Sequence, residues 1–184
     1  MRSRTWVAFI RGPGSDAHVR VEELPVLLQR EAVGHPGDVV ADHPVDAVLF
    51  DLLLEAGREL AAEFASVGAT KVLTAEISGI APALTTALVL DVPLIYARKT
   101  KPVTMTEPVY VEAAPSHTKG VSVFLMCSPE FLRPQDRILI IDDFLASGQT
   151  IGALVRMVRH ADAELVGIGA LIEKGFEGGR AELE

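Results

Sequence analysis

Cysteine is almost absent: Cys127 is the only one in 184 residues. No disulfide can form within such a chain, and no cysteine-based metal site is available. A lone thiol suits a reducing cytoplasm, which is the expected location. Long apolar runs are missing as well. None approaches the length of a membrane-spanning helix, and the apolar run in MRSRTWVAFIRGPGS is too short for a signal peptide. Positive charge is the minority sign, with 17 Lys and Arg against 25 Asp and Glu and a net charge of −8. That balance argues against general binding to nucleic-acid backbones, though a local basic cluster can still hold a small anion. Internal repeats and low-complexity tracts are lacking too, and Gly and Pro are scattered rather than gathered into a linker.

What remains is an apolar-rich chain, 49% hydrophobic, of a length suited to one domain with a normal core. Residues 1–184 are therefore read as a single domain, with an N-terminal region 1–40 and a core 45–184. In the first region WVAFI suggests a short strand and VEELPVLLQREAV a short helix interrupted by Pro25. From Val45 the pattern sharpens. Leu49, Leu52, Leu53, Leu60 and Phe64 recur at helical spacing, and Gly68 is a plausible stop. KVLTAE reads as a strand, SGIAPALTTALVL as a helix and VPLIYARK as a strand. The polar, proline-punctuated TKPVTMTEPVYVEAAPSHTKG predicts a mobile loop with a β-ribbon. VSVFLMC, RILIIDD and ELVGIGALIEK read as strands, and TIGALVRMVRHA as a helix burying Ile151, Leu154, Val155 and Val158. Such alternation implies an α/β fold with a mostly parallel central sheet flanked by helices.

Ligands of such sheets bind beyond the carboxyl ends of the strands. Three ends carry unusual chemistry: AEISG (75–79), ARKTK (97–101) and DDFLASGQT (142–150); a fourth ends in EKGF (173–176). In ASGQT, small residues between a strand and a helix let backbone N–H groups approach an anion, and the helix N-terminus adds partial positive charge. Ser147 and Thr150 can donate further hydrogen bonds; the alternative is that one of them merely caps the helix. No lysine follows the glycine, so this is not a Walker loop. GIGALI lacks the third glycine of a dinucleotide fingerprint and reads as core strand. Asp142 and Asp143 end an apolar strand just before the loop. Two adjacent carboxylates there repel each other and lose solvation. They suit ribose hydroxyls, met directly or through Mg²⁺, so the stretch fits a ribose bearing a 5′-phosphate.

ILIIDDFLASGQT resembles the phosphoribosyl-pyrophosphate (PRPP) motif of type I phosphoribosyltransferases. EISGIAPA (76–83), YARKTK (96–101), SHTK (116–119) and IEKGFEGGR (172–180) resemble the bacterial xanthine enzymes of that family in particular. The likeness runs from about residue 45 to the end. It implies the type I fold with a small hood and a flexible β-ribbon loop, a homodimer, and Mg²⁺ bound with PRPP. It implies that Asp142 and Asp143 hold the ribose hydroxyls and, indirectly, the metal. Ala146, Ser147, Gly148, Gln149 and Thr150 would bind the 5′-phosphate. Glu76, Ile77, Ser78 and Gly79 match the pyrophosphate loop. Arg98 and Lys99 match basic residues that often reach the pyrophosphate of the neighbouring subunit. Phe144 would pack on the purine face, and Lys174 would contact its edge. A hood at 99–118 would exclude water. The plain alternatives are that Arg98 and Lys99 are a solvated strand end and Lys174 a surface lysine.

The sequence departs from the family at three places. The asparagine that reads the base near the start of the first core helix is missing from VDAVLFDLLL, where Phe50 stands roughly in its place. Ile77 replaces a small polar residue, which removes a hydroxyl but not the backbone donors. The chain stops at GRAELE, where the resemblance implies a further strand, so the sheet closes differently or the chain is shortened. The expected activity is transfer of the 5-phosphoribosyl group of PRPP to a purine, xanthine foremost, giving the nucleoside monophosphate and pyrophosphate. The alternatives are an adenine or guanine enzyme, or a non-catalytic PRPP-sensing regulator of purine genes.

Overall fold

The computed structural model describes residues 8–11, 45–115, 122–173 and 177–183, with backbone alone at 8–11, 45–52 and 122. The elements run β1 (Ala8–Arg11), α1 (Val45–Phe64), β2 (Lys71–Ala75), α2 (Ile80–Leu90) and β3 (Leu94–Ala97). They continue through β4 (Tyr110–Pro115), β5 (Ser122–Cys127), β6 (Arg137–Leu145), α3 (Gln149–His160), β7 (Glu164–Glu173) and α4 (Gly179–Leu183). Five strands form one sheet in the order β1-β7-β6-β2-β3. All neighbours in it are parallel except β1, which runs antiparallel to β7. The expected α/β fold with a mostly parallel sheet is what forms.

Strand alternation distributes the core to both faces. Ile138 and Ile140 of β6 pack with Leu73, Ile168 and the apolar side of α3. Leu139 and Ile141 point the other way, to Leu60 and Phe64 of α1 and Ala83 and Ala87 of α2. A strand buried on both faces needs continuous apolar sequence, which is why RILII reads as it does. The four residues expected on the buried side of α3 are all buried there, joined by Ala153 and Met157. On α1, Leu60 and Phe64 are buried and Leu53 partly so; Leu49, Leu52 and Phe50 lie where only the backbone is described.

The glycines of GIGALI have a packing reason. A Cβ at Gly167 would stand 2.6 Å from the Phe64 ring, so α1 lies on β7 only because that strand is bare there. Gly68, in the left-handed region at φ 65°, ends the short 3-10 turn after α1, as expected of a stop.

Two expectations change. The acids do not end β6. The strand continues through them to Leu145, with Phe144 paired to Ile172 and Leu145 to Glu173. VSVFLMC is not in the main sheet; β5 pairs antiparallel with β4 as a two-stranded ribbon. Arg98 and Met126 join ribbon to sheet by reciprocal backbone hydrogen bonds of 2.8 Å. The ribbon expected within 100–120 takes only its first strand from there, Tyr110–Pro115, and its second from Ser122–Cys127. The proposed helix at VEELPVLLQREAV, SHTK and Lys174 lie outside the described residues, as does most of region 1–40.

Candidate active site

The sheet changes direction between β6 and β2: β6 leads to β7 on one side and β2 to β3 on the other. A crevice opens at the carboxyl ends of two such strands. Here it is a cavity of about 320 Å³ lined by Ala75, Glu76, Ser78 and Lys99, by Asp142, Asp143 and Phe144, and by Ala146 through Ile151. It brings together most of the residues singled out from the sequence. Ile77 and Gly79 do not line it: Ile77 is 78% exposed, and Gly79 packs against Thr74 and Asp142. Arg98 lines a separate hollow on the far side of β3.

Gly148 is the N-cap of α3, held at φ 77°, and no side chain caps the helix. Ser147 and Thr150 are therefore not cap residues; both face the cavity. The first N–H groups of the 12-residue α3 open onto the same space, where an anion can take them. Gly148 must be glycine for a second reason. A Cβ there would stand 2.9 Å from the carbonyl oxygen of Gly179.

The acid pair is not symmetric. Asp142 is 5% exposed, while Asp143 is partly open. Burial pushes the Asp142 carboxyl up to about 8, the charge of Asp143 adds to the rise, and Lys99 opposes it. Burial and the neighbouring charge thus both favour a proton on Asp142. The backbone N–H of Asp143 donates to Asp142 Oδ1 at 3.0 Å.

Glu76 lines the cavity and braces its wall. Its Oε1 accepts the backbone N–H of Lys99 at 2.6 Å, and its Oε2 lies 3.8 Å from Arg98 Nε. The carboxylate holds the 98–99 strand end against the 76–79 loop and leaves Lys99 as the cation facing the acids. Phe144, 43% exposed, shows its ring at the rim of the cavity. Cys127 takes no part: burial pushes its thiol up to about 11, so it stays protonated and unreactive.

A model of the phosphoribosyl transferase domain matches residues 53–181. The chain belongs to that family. Among its relatives, the xanthine phosphoribosyltransferase of Deinococcus deserti is 52% identical over 136 residues, which is 74% of this chain and 70% of that one. The xanthine phosphoribosyltransferase of Pseudomonas putida is 41% identical over 167 residues, 91% of this chain and 85% of that one. Among solved structures, the adenine phosphoribosyltransferase of Rhodothermus marinus superposes with a TM-score of 0.65 at 25% identity, covering 97% of this chain and 88% of that one.

Within this phosphoribosyltransferase fold, sequence reading missed three contributors. Thr74 lies fully buried beneath Asp142 and Gly79; its only signal is one hydroxyl in the apolar strand KVLTA. Gly179 donates its N–H to the Ala146 carbonyl at 3.0 Å; its signal is the Gly178-Gly179 pair. Glu112 holds the ribbon to α3, receiving Arg156 Nε at 3.1 Å and standing 2.7 Å from His160 Nδ1; alternation in the ribbon gave no sign of it.

Among the described residues no group of three or more His, Cys, Asp or Glu is placed to hold a metal. Two carboxylates on a cavity that also accepts phosphates suit a hard cation that takes one or two protein oxygens and the rest from substrate. The residues fit a metal that arrives with PRPP, and Asp142 and Asp143 are those that would face it.

Proposed function

We propose that this chain is a xanthine phosphoribosyltransferase, converting PRPP and xanthine to the nucleoside monophosphate and pyrophosphate. One observation carries the reading: an acid pair, Asp142 buried and Asp143 partly open, shares one cavity with the N-terminus of α3, as a ribose with a 5′-phosphate requires. Identity of 41–52% to xanthine enzymes, against 25% to the adenine enzyme from Rhodothermus marinus, supports xanthine as the base.

In this reading the α3 N-terminus and the hydroxyls of Ser147 and Thr150 hold the 5′-phosphate. Asp142 and Asp143 orient the ribose through its 2′ and 3′ hydroxyls. Ser78 and the backbone donors of 76–79, with Lys99, receive the pyrophosphate. The bond from C1 to pyrophosphate breaks and a bond from C1 to a ring nitrogen of the purine forms, with loss of that nitrogen's proton. Positive charge develops on the sugar and negative charge on the leaving group. The Asp143 carboxylate beside the ribose and Lys99 at the leaving group would match that separation. Mg²⁺ entering with PRPP would add positive charge at the pyrophosphate. Phe144 stacks on the purine, and Lys174 contacts its edge. A hood at 99–118 would exclude water, which would otherwise hydrolyse PRPP.

The whole chain acts as one domain and, in this reading, as a homodimer. Support comes from the hollow of about 470 Å³ beyond β3, where Tyr96, Met105 and Phe131 offer apolar surface. Arg98 faces it with its guanidinium carbon 5.8 Å from the Tyr96 ring centre. A second copy seated there would take Arg98 towards its own pyrophosphate site. Light scattering of the purified protein measures the assembly. The activity test is incubation with PRPP, Mg²⁺ and each purine in turn. Xanthine should be consumed fastest and XMP appear, and chelation of Mg²⁺ should stop the reaction. Preferential use of adenine or guanine, or PRPP binding without turnover, would replace this reading.

A further inference from the structure

Thr74 is the penultimate residue of β2 and is fully buried, yet its hydroxyl has no hydrogen-bond partner. Such a group is uncommon in a folded core and asks for a reason. Other buried threonines here are paired: Thr85 and Thr86 on α2 donate to the Pro82 carbonyl at 3.0 and 2.8 Å. A valine would occupy the same strand position with the same branched shape and no polar atom to satisfy. The free protein therefore gains nothing from the hydroxyl.

Its surroundings say what it serves. A Cβ built on Gly79 would collide with both Thr74 Oγ1 and Asp142 Oδ1. Both oxygens thus lie 2.4 Å from one point, the place where a Cβ would stand on Gly79, the residue that closes the 76–79 loop. Thr74 is absent from the wall of the cavity, whereas Asp142 is part of it. The hydroxyl stands behind the carboxylate, where ligand cannot reach it. Asp142 Oδ1 has one donor so far, the Asp143 N–H.

We propose that Thr74 is a positioning residue of phosphoribosyl transfer: its hydroxyl donates to Asp142 Oδ1 once PRPP is bound, and so fixes the carboxylate against the ribose hydroxyls and the Gly79 loop. The inference rests on the reading of Asp142 as a ribose-binding acid. A side chain turned to hold two sugar hydroxyls needs its rotation fixed, and a donor behind it does so without occupying the ligand face. The same hydroxyl links the acid of β6 to the loop after β2, the two halves of the site that hold ribose and pyrophosphate. A donor left unpaired in the free protein and paired in the complex strengthens the bound state alone.

The test uses full-length Thr74→Val and Thr74→Ser in steady-state kinetics and thermal unfolding. Thr74→Val should lower kcat/KM for PRPP about tenfold or more while the KM for xanthine stays within about twofold. Its Tm in the absence of ligand should equal or exceed that of the wild type, because an unpaired buried hydroxyl is removed. Thr74→Ser should restore PRPP use. Wild-type PRPP kinetics in the valine variant, no rescue by serine, or a lower ligand-free Tm in the valine variant would each overturn the inference. A wild-type protein that neither binds nor turns over PRPP would overturn the reading of the site itself, an outcome distinct from equal kinetics in the two proteins.

Discussion

The backbone N–H of Gly179 donates to the carbonyl of Ala146 at 3.0 Å, tying the segment after β7 to the back of the 146–150 loop. The approach is backbone on backbone. A Cβ at Gly179 would collide with that carbonyl and stand 2.7 Å from the Gly148 nitrogen. Arg180, next in sequence, is anchored by a two-pronged pair with Glu173 at the end of β7, its Nε donating at 2.9 Å. The loop is therefore shaped from behind by residues far along the chain.

Gly179→Ala should push Ala146–Gly148 into the cavity. Displacements near 1 Å at a binding constellation cost up to about 100-fold in rate, so kcat/KM for PRPP should fall at least about tenfold. The KM for xanthine should change little, since the base is read elsewhere. Steady-state kinetics with each substrate varied in turn check this. An equal fall in apparent kcat with both KM values unchanged would mean a smaller folded fraction rather than a displaced loop.

Asp142 gives a pH-dependent prediction with a definite sign. Its folded carboxyl is raised to about 8, chiefly by burial, so the folded state binds its proton more tightly than the unfolded chain does. The contribution to stability is complete below the ordinary carboxylate range and fades as pH rises through 4 to 8. Asp142→Asn keeps the shape without the charge. Denaturant unfolding should find it little different from wild type at pH 4 and more stable by roughly 1–4 kcal/mol at pH 8.5. The same variant, and more so Asp142→Asn with Asp143→Asn, should lose most PRPP use. A variant less stable than wild type at pH 8.5 would show that Asp142 is ionised and well paired in the free protein.

These two cases mark what the sequence carries and what it does not. ILIIDDFLASGQT is local: apolar period, acids and small residues adjoin, so strand, acid pair and phosphate loop are legible from one stretch. The parallel order follows from alternating elements and the twin-faced burial of RILII. Gly179 on Ala146 and Thr74 beneath Asp142 are contacts across 33 and 68 positions, and no local pattern encodes them. The continuation of β6 through Asp142-Asp143 was misjudged for a related reason. Charge signals a strand end in isolation, but pairing of Phe144 and Leu145 with β7 overrides it. Pairing of β5 with β4 rather than with the sheet likewise depends on tertiary context, because VSVFLMC is apolar enough for either.

Glu112 predicts how the ribbon is secured. It is 8% exposed in β4 and meets Arg156 and His160 of α3, while Arg156 Nη2 also donates to the Ala113 carbonyl at 2.6 Å. Its partners are partly solvated, so their loss is not the full penalty of a buried charge. Charge-assisted bonds of this kind contribute about 1.5–3 kcal/mol each before solvation of the partners is allowed for. Glu112→Ala should therefore lower stability by roughly 1–3 kcal/mol in chemical denaturation. Hydrogen exchange should rise in 110–115 before it rises in β6. Uniform exchange across the sheet would show that the ribbon does not open on its own.

Phe144 separates the two substrates. Phe144 is 43% exposed at the rim of the cavity that Asp143 and Ala146 also line, and in the proposed reading those two meet the ribose phosphate while Phe144 meets the base. Stacking of a base on an aromatic ring is worth about 1–3 kcal/mol, which corresponds to about 5- to 150-fold in affinity. Phe144→Ala should raise the KM for xanthine within that range and leave the KM for PRPP within about twofold, because no phosphate or ribose contact is lost. Phe144→Leu, which keeps an apolar surface but no π face, should fall between the two. Steady-state kinetics on all three proteins, with folding checked by thermal unfolding, give the order. A larger effect on PRPP than on xanthine would move Phe144 from the base to the ribose side of the site.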